Sequence, residues 1–342
     1  MIKRLLQLIV FISLLLGISG IILGLSFVQF LHTPLTVTEN GTVFIIAPRT
    51  SQQRIATQLK EANILQHPIW FLFCIAFEGA WNKLKAGEYL IEPGSLPAEL
   101  VQKLQDGKVI QHAFTIVPGW TFTQLRQEMN QSPFLQHTLM DATDADIMIK
   151  LGQPGVHPEG QFLPETYYFP LGTTDIAFLQ RANHQLQEKL TALWQAPRTL
   201  DAFPLKSPYE ALILASIIEK ETAVSTEYMD IAGVYIRRLL KDMPLQADPT
   251  VIYGVGKNYV GRLTASMLLE PNPYNTYQKL GLPPTPIALP SQKALEAALH
   301  PRPGDTLYFV ANPAGNGHVF SKTLDEHNKA VAEYRKAQAG LN

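Results

Sequence analysis

The chain has 342 residues, enough for two domains besides any membrane segment. Its 28 Lys and Arg against 29 Asp and Glu leave a formal net charge of −1, which removes the electrostatic case for a nucleic-acid partner. A single cysteine, Cys74, excludes an internal disulfide framework, and the scattered histidines form no HExxH or Cys/His cluster, so neither a metal nor a cofactor is expected.

Lys3 and Arg4 precede an uncharged run from Leu5 to Leu31. About 20 apolar residues span a bilayer, so the run suffices for a transmembrane helix over 5–31. A cleaved signal peptide is the competing reading. Its apolar core is shorter and ends in a small-residue cleavage site. Here apolar residues continue through Phe27, Val28, Phe30 and Leu31 without one, which favours a retained anchor. The basic pair sets residues 1–4 as a cytoplasmic end, with everything after about His32 outside. Gly20 and Gly24 have GxxxG spacing, which serves helix pairing or reflects ordinary small residues in a membrane helix.

After a polar linker (32–40), one pattern recurs three times. Val43–Ala47 leads to Pro48 and a helix with Ile55 and Leu59 inward. Glu88–Glu92 leads to Pro93-Gly94 and a helix with Leu100 and Leu104. Phe114–Val117 leads to Pro118-Gly119 and a helix with Leu125 and Met129. The apolar pair stands at the same two offsets from each proline, four apart on one helix face. Each copy reads as strand, tight turn, helix. Thr50 with Gln53 forms a capping box for the first helix, and Pro68 opens a second that Gly79 ends. Cys74 in that second helix reads as a small buried hydrophobe. Strand–helix–helix–strand over Thr42–Glu92 is the element order of a LysM module, a small glycan-binding fold. A plain βααβ spacer has the same order. The subdomain is bounded at 41–112, and 113–342 is left for a second domain.

A polar helical stretch is expected over Pro133–Lys150. Glu159–Pro170 then holds two prolines, a glycine and four aromatics, which points to an ordered loop or a short strand lining a cleft. An amphipathic helix follows over Ala177–Trp194, and Asp201–Lys206 connects it to the stretch that organises the chain. There Ser207 caps, Pro208 takes the first helical position, and Glu210 completes a capping box. The helix continues through Ala211–Leu214 to Ser216-Ile217-Ile218-Glu219-Lys220-Glu221-Thr222, apolar on nearly every face and hence a core helix. Burial and the negative end of the helix dipole should raise the pKa of a carboxylate at its far end. An acid that keeps its proton near neutral pH is what cleavage of a glycosidic bond requires. Glu219 and Glu221 are two residues apart, so at about 100° per residue they cannot share a face. Periodicity does not choose between them. Lys220 reads as a solvated or ion-paired flank.

A helix to about Lys241 follows, with Ile231, Val234, Tyr235 and Arg238 on one face. Met243–Gly254, Pro273–Tyr277 and Gly281–Pro284 read as loops dense in Pro, Gly, Asn and Tyr. Tyrosine rings suit sugar faces, though such residues also simply pin long loops. A hairpin of Leu307–Val310 with Val319-Phe320 and a tail helix from Leu324 to about Ala339 close the chain.

Several of these motifs stand in a recognisable order: Ile217–Ala223, Gln246-x-Asp248-Pro249-Thr250-Val251-Ile252-Tyr253-Gly254, Tyr274–Tyr277, Gly281–Pro284 and Gly317-His318-x-Phe320, with Glu159-Gly160…Pro164-x-Thr166 before them. Together they resemble the YceG-like family over essentially the whole length. The resemblance implies an α+β catalytic domain over 113–342 with a helical core. It implies a lyase, an endolytic murein lytic transglycosylase of class EC 4.2.2.-, in the bacterial inner membrane with its catalytic domain in the periplasm. Such an enzyme cuts the MurNAc–GlcNAc β-1,4 bond within nascent peptidoglycan strands without water, leaving 1,6-anhydro-MurNAc ends. The family's catalytic glutamate falls on Glu219, acting as general acid and then base, with Glu221 left structural. Gln246, Asp248, Thr250, Tyr253, Tyr274, Asn275 and Tyr277 are the expected cleft-lining, substrate-binding residues. The resemblance also suggests penicillin-binding proteins or other cell-wall synthases as partners. Two alternatives are a hydrolytic muramidase using Glu219 with Asp248, and a membrane-anchored glycan-binding scaffold without catalysis.

Overall fold

The computed structural model describes residues 2–197, 200 and 202–339. Met1 of the expected cytoplasmic end, Asp201 of the expected connection and residues 340–342 of the expected catalytic domain lie outside the described residues. The fold is mixed α+β and divides into two compact units. One comprises the chain up to His112 with Tyr168–Leu171. The other comprises Ala113–Tyr167 and the chain from Gly172 onward.

The first unit begins with α1, Ile2–Leu31, exposed along its length except near its end, where Phe30 is buried. It is long and apolar enough to cross a membrane. The stretch read as a linker is held to the unit that follows. Leu35 is buried, its N–H donates to Ser95 O at 2.8 Å, and the N–H of Thr36 donates to Ile64 O at 2.9 Å. Then come β1 (Thr42–Ile46), α2 (Gln52–Glu61), α3 (Pro68–Phe77), β2 (Gly87–Ile91) and α4 (Pro97–Asp106). The strands pair antiparallel with Phe44 opposite Tyr89. Alternation puts Phe44, Ile46, Tyr89 and Ile91 inward, against Ile55, Leu59, Phe71, Cys74, Ile75, Leu100 and Leu104. α2 is capped by Ser51, which accepts from the N–H of Arg54 at 3.3 Å. The expected Thr50–Gln53 box does not form, because the Thr50 hydroxyl closes the preceding turn by donating to Ala47 O at 2.7 Å.

The threefold pattern has a common backbone. The residue after each proline takes positive φ: Arg49 at 65°, Gly94 at 83° and Gly119 at 79°. This is the third position of a type II turn, whose second position suits proline. Each helix has its N-cap position three residues after the proline: the side chains of Ser51 and Thr121 accept backbone N–H bonds there, while at Leu96 the backbone N–H donates to the Glu99 carboxylate at 2.8 Å. The pairs Ile55/Leu59, Leu100/Leu104 and Leu125/Met129 are all buried.

β3 (His112–Thr115) leads into the second unit. There follow α5 (Phe122–Gln131), β4 (Leu135–Gln136), α6 (Asp144–Lys150), β5 (Thr166–Phe169), β6 (Thr173–Thr174) and α7 (Asp175–Gln195). The helix expected over Pro133–Lys150 is thus confined to α6. Its start is fixed by a capping box in which the Asp146 carboxylate accepts from the Thr143 N–H at 3.0 Å. Next are α8 (Pro208–Glu221), α9 (Tyr228–Leu240), α10 (Asp248–Val255), α11 (Ala265–Leu269), α12 (Gln292–Leu299), a β7/β8 hairpin (Tyr308–Ala311 with His318–Ser321) and α13 (Leu324–Ala339). Much of Met243–Gly254 is therefore helix rather than loop, nucleated by Asp248-Pro249 at its first turn.

α8 is the axis of this unit. Residues Ala211–Ile218 are all buried, and α7, α9, α10 and α12 pack around them. Each buried Leu or Ile contributes about 1.5–3 kcal/mol, which offsets the marginal stability of so short a helix alone. Ser207 caps it, accepting from the N–H of Glu210 at 3.2 Å. The reciprocal half of the expected capping box is absent, because the Glu210 carboxylate reaches one residue further back to the N–H of Lys206, at 2.6 Å.

Candidate active site

Glu219 stands in the last turn of α8, where the buried run ends, and is partly exposed. Both carboxylate oxygens are held. Oε1 accepts from the Tyr228 hydroxyl at 3.0 Å. Oε2 accepts from the Ser291 N–H at 2.9 Å and the Ser291 hydroxyl at 2.5 Å. Ser291 is the N-cap of α12, so the carboxylate sits at the positive end of that helix. Tyr228 opens α9. The lysine beside the glutamate is not merely solvated: Lys220 Nζ donates to Gly119 O at 3.2 Å.

One turn earlier on the same face, Ser216 Oγ donates to Ile213 O at 2.7 Å and accepts from the N–H of Ile287 at 3.0 Å. The Ile287–Ser291 strip is thereby laid along α8 up to Glu219. Its other edge is tied to the third of the repeated turns. The Gly119 N–H donates to Leu289 O at 2.9 Å, and the Leu289 N–H to Trp120 O at 2.7 Å. A Cβ at Gly119 would lie 3.6 Å from Lys220 Cδ and 3.9 Å from Glu219 Cγ. Trp120, half-buried, therefore flanks the glutamate's neighbourhood.

Glu221 faces elsewhere, as a 200° rotation requires. Its Oε1 accepts from the Tyr235 hydroxyl of α9. Burial pushes its carboxyl up to about 7; the Tyr235 bond opposes this, the Asp248 charge adds to it, and Arg238 opposes it. Arg238 donates to the carbonyls of Leu307 at 2.7 Å and Leu245 at 2.9 Å, and to Gln246 Oε1 at 3.3 Å. Asp248 accepts from the Tyr277 hydroxyl at 2.5 Å. Gln246, Asp248 and Tyr277 thus belong with Glu221, and no hydrogen bond joins them to Glu219 among the described residues.

The remaining residues expected in the cleft hold the scaffold. Thr250 is buried, donating to Ala247 O at 2.7 Å and lying 2.9 Å from Thr276 Oγ1. Asn275 is buried and gathers the carbonyls of Leu268 and Glu270 at 3.1 and 3.0 Å. Tyr274 packs edge-on against Tyr253 at 4.9 Å and shares a hydrogen bond with Thr285 at 2.8 Å. The Tyr253 hydroxyl donates to Glu159 Oε2 at 3.1 Å, and the first N–H of α5, that of Phe122, donates to Glu159 Oε1 at 2.9 Å. Glu159 is 3 % exposed. Burial pushes its carboxyl up to about 7 against those two hydrogen bonds.

Two glycine motifs have a steric reason. At Gly160 (φ 78°) a Cβ would meet Pro286 Cβ at 2.5 Å. At Gly317 (φ 87°) it would run into Glu227 Oε1. The close approach at Gly317 lets the His318 N–H donate to Glu227 Oε1 at 2.7 Å, with His318 Nδ1 2.7 Å from Oε2. This clasp fixes the residue just before Tyr228. Gly281–Pro284 lies at the other end of α8, where it lines a cavity of about 600 Å³ with Leu205, Tyr209 and Glu210.

Sequence reasoning missed Tyr228, Ser291 and Trp120. Ser291 carried a cap signal, Pro290-Ser291-Gln292 before an apolar run, but nothing tied it to a glutamate 72 residues away.

A membrane-length helix ahead of an α+β unit, with one carboxylate oriented by two helix starts, is the frame in which the comparisons fall. The chain matches the YceG-like family over residues 44–333 and belongs to it. A Bacillus subtilis protein named endolytic murein transglycosylase is 31% identical over 320 residues, covering 88% of this chain and 87% of that protein. A Streptococcus pneumoniae protein of the same name is 26% identical, covering 95% of this chain and 64% of its own length. The crystal structure of a putative yceG-like protein, lmo1499, from Listeria monocytogenes aligns with a TM-score of 0.51 at 30% identity, covering 85% of this chain and 99% of that one.

Proposed function

We propose that the protein is a membrane-anchored endolytic murein lytic transglycosylase with Glu219 as its single acid and base. The observation that carries this is the Glu219 carboxylate, at the partly exposed end of a buried helix with both oxygens aimed by Tyr228 and Ser291. The names of the relatives supply the substrate class. Protonated Glu219 donates to the β-1,4 glycosidic oxygen as the bond from muramyl C1 breaks. The resulting carboxylate then takes the proton of the muramyl 6-hydroxyl as O6 bonds to C1. One group thus serves both steps, and the product is a 1,6-anhydro-MurNAc end without water. Hydrolysis by the usual pair of carboxylates would need a second one across the bond, and Asp248 is engaged by Tyr277 beside Glu221. α1 holds the chain in the membrane with the residues after about His32 outside, and the strand–helix–helix–strand part is available to bind glycan.

A second reading has its own observation. Glu221, pushed up to about 7, is an acid that keeps its proton near neutrality. Product analysis with purified protein and glycan strands separates these readings. Glu219→Gln lowers release of anhydro-muropeptides by on the order of 10²-fold or more while Glu221→Gln retains it. The opposite result moves the assignment to Glu221, reducing ends in place of anhydro ends make the enzyme a muramidase, and strand binding without cleavage by the unaltered protein makes it a scaffold.

A further inference from the structure

The first unit carries an apolar surface that its own fold does not cover. α3 reads Pro-Ile-Trp-Phe-Leu-Phe-Cys-Ile-Ala-Phe without a polar residue. One face, Phe71, Cys74 and Ile75, is in the core. The other carries Ile69, Phe73 and Phe77, four residues apart, at 66%, 55% and 74% exposure. Three exposed large apolar side chains in a row on a ten-residue helix form a contiguous patch, which normally marks an interaction surface.

The patch is continuous with α1. Phe27 of α1 touches Trp70, Phe73 and Phe77, with ring centroids 5.7, 6.4 and 6.4 Å apart. Between the helices runs a groove of about 770 Å³. Leu23, Gly24 and Phe27 form one wall, Ile69 and Phe73 the other, and Lys60 and His67 stand with them in its lining. Gly24 leaves the α1 wall open, since a Cβ there would meet nothing within 4 Å.

Helix length sets the depth. The hydrocarbon core takes about 20 helical residues, so a span that starts at Leu5, just after Lys3 and Arg4, leaves it near Leu25. Phe27 and the α3 rings it touches then lie at the outer headgroup level, where Trp and other aromatic rings collect.

We propose that α3 lies in the outer-leaflet interface, with Ile69, Phe73 and Phe77 among the lipids and a phospholipid acyl chain in the α1–α3 groove, its headgroup beside Lys60 and His67. The proposal rests on the anchor reading of α1. An apolar helix face that meets lipid at this level sinks some 5–10 Å into the headgroup and acyl boundary.

The test uses the full chain in phospholipid vesicles whose acyl chains carry bromine, which quenches tryptophan by contact. Trp81, Trp120 and Trp194 are replaced by Phe, leaving Trp70 as reporter. A second reporter is Phe77→Trp in a background where all four tryptophans are Phe, and a third is Phe11→Trp in the same background. A reference variant keeps only Trp120. At the interfacial depth expected, Trp70 and the position-77 reporter lose emission at least about twofold relative to the reference. If neither is quenched while the position-11 reporter is, the face is covered by protein, a second copy or another helix, and the proposal falls with the anchor intact. If the position-11 reporter is not quenched either, the anchor reading itself fails and takes the proposal with it.

Discussion

The two units bury different chemistry. Among the described residues, every buried polar or charged side chain lies between Glu159 and Ser321, in the second unit: Glu159, Gln161, Asp175, Asn183, Ser216, Arg238, Thr250, Asn275, Thr276 and Ser321. The first unit's core contains only Leu, Ile, Val, Ala, Phe, Tyr and Cys. Hydrophobic burial is non-directional and tolerant, so it suits a body whose task is to present surfaces. Buried polar groups cost about 1–3 kcal/mol each when unpaired, so a fold that retains ten of them is constrained at ten points. One of those points, Ser216 on α8, ties down the Ile287–Ser291 strip that aims Glu219. The first unit uses one turn geometry twice for packing. The third copy of that turn, at Gly119, is spent beside the carboxylate.

The widest effect expected from breaking this contrast is chemical. Glu219→Gln lowers strand cleavage by on the order of 10²–10⁴-fold, read as anhydro-muropeptide release, with little change in melting temperature. A comparable fall in Glu221→Gln alone would reassign the site. In the first unit the largest effect is on stability. Leu59→Ala opens a cavity in an all-apolar core and costs about 2–5 kcal/mol in urea unfolding, with the cleavage rate per folded molecule unchanged. A lost rate without lost stability would mean that the first unit takes part in catalysis.

A smaller effect lies in pH. The Glu159 carboxyl titrates near 4.5 when unfolded and near 7 when folded. Its contribution is therefore present in full below pH 4.5 and is lost as pH rises through about 7, a change on the order of 3 kcal/mol. Glu159→Gln should flatten the fall in melting temperature between pH 5 and pH 7.5. An unaltered slope would show that Glu159 does not keep its proton. The smallest effect is expected at Ser291→Ala. Loss of the α12 cap costs about 1 kcal/mol, and loss of one hydrogen bond to Glu219 slows cleavage roughly tenfold. Ser291→Thr should restore both, because it keeps the hydroxyl.

Local rules were legible in the sequence wherever a residue's partner lies within a turn or two. The proline-anchored turns, the paired apolar positions behind them, the Ser207 start of α8, and the burial of Ile231, Val234, Tyr235 and Arg238 all follow from spacing. So does the opposed facing of Glu219 and Glu221. The misses have one cause each. The cap of α2 fell one residue later, on Ser51, because the Thr50 hydroxyl turned back to Ala47 O, and Glu210 bonded the N–H one residue before the expected one. Met243–Gly254 was read as a loop from its composition, and Asp248-Pro249 within it opens a helix. At the site, a costly carboxylate at the end of α8 stood out, with Glu219 preferred to Glu221 only through the family resemblance, but Tyr228 and Ser291 did not, because hydrogen bonds across 9 and 72 residues have no local pattern. Tyr274 and Asn275 stood out for composition, and the structure uses them to fasten loops.

The Ser291–Glu219 bond also sets an order in time. Synthesis runs from the N-terminus, so the whole of α8 exists before the cap of α12 is made. Until then the Glu219 carboxylate lacks both donors on Oε2, and the Gly119–Leu289 seam that flanks it has no second edge. The Glu219 carboxylate is held at both oxygens only once Ser291 has been made and has folded back against α8.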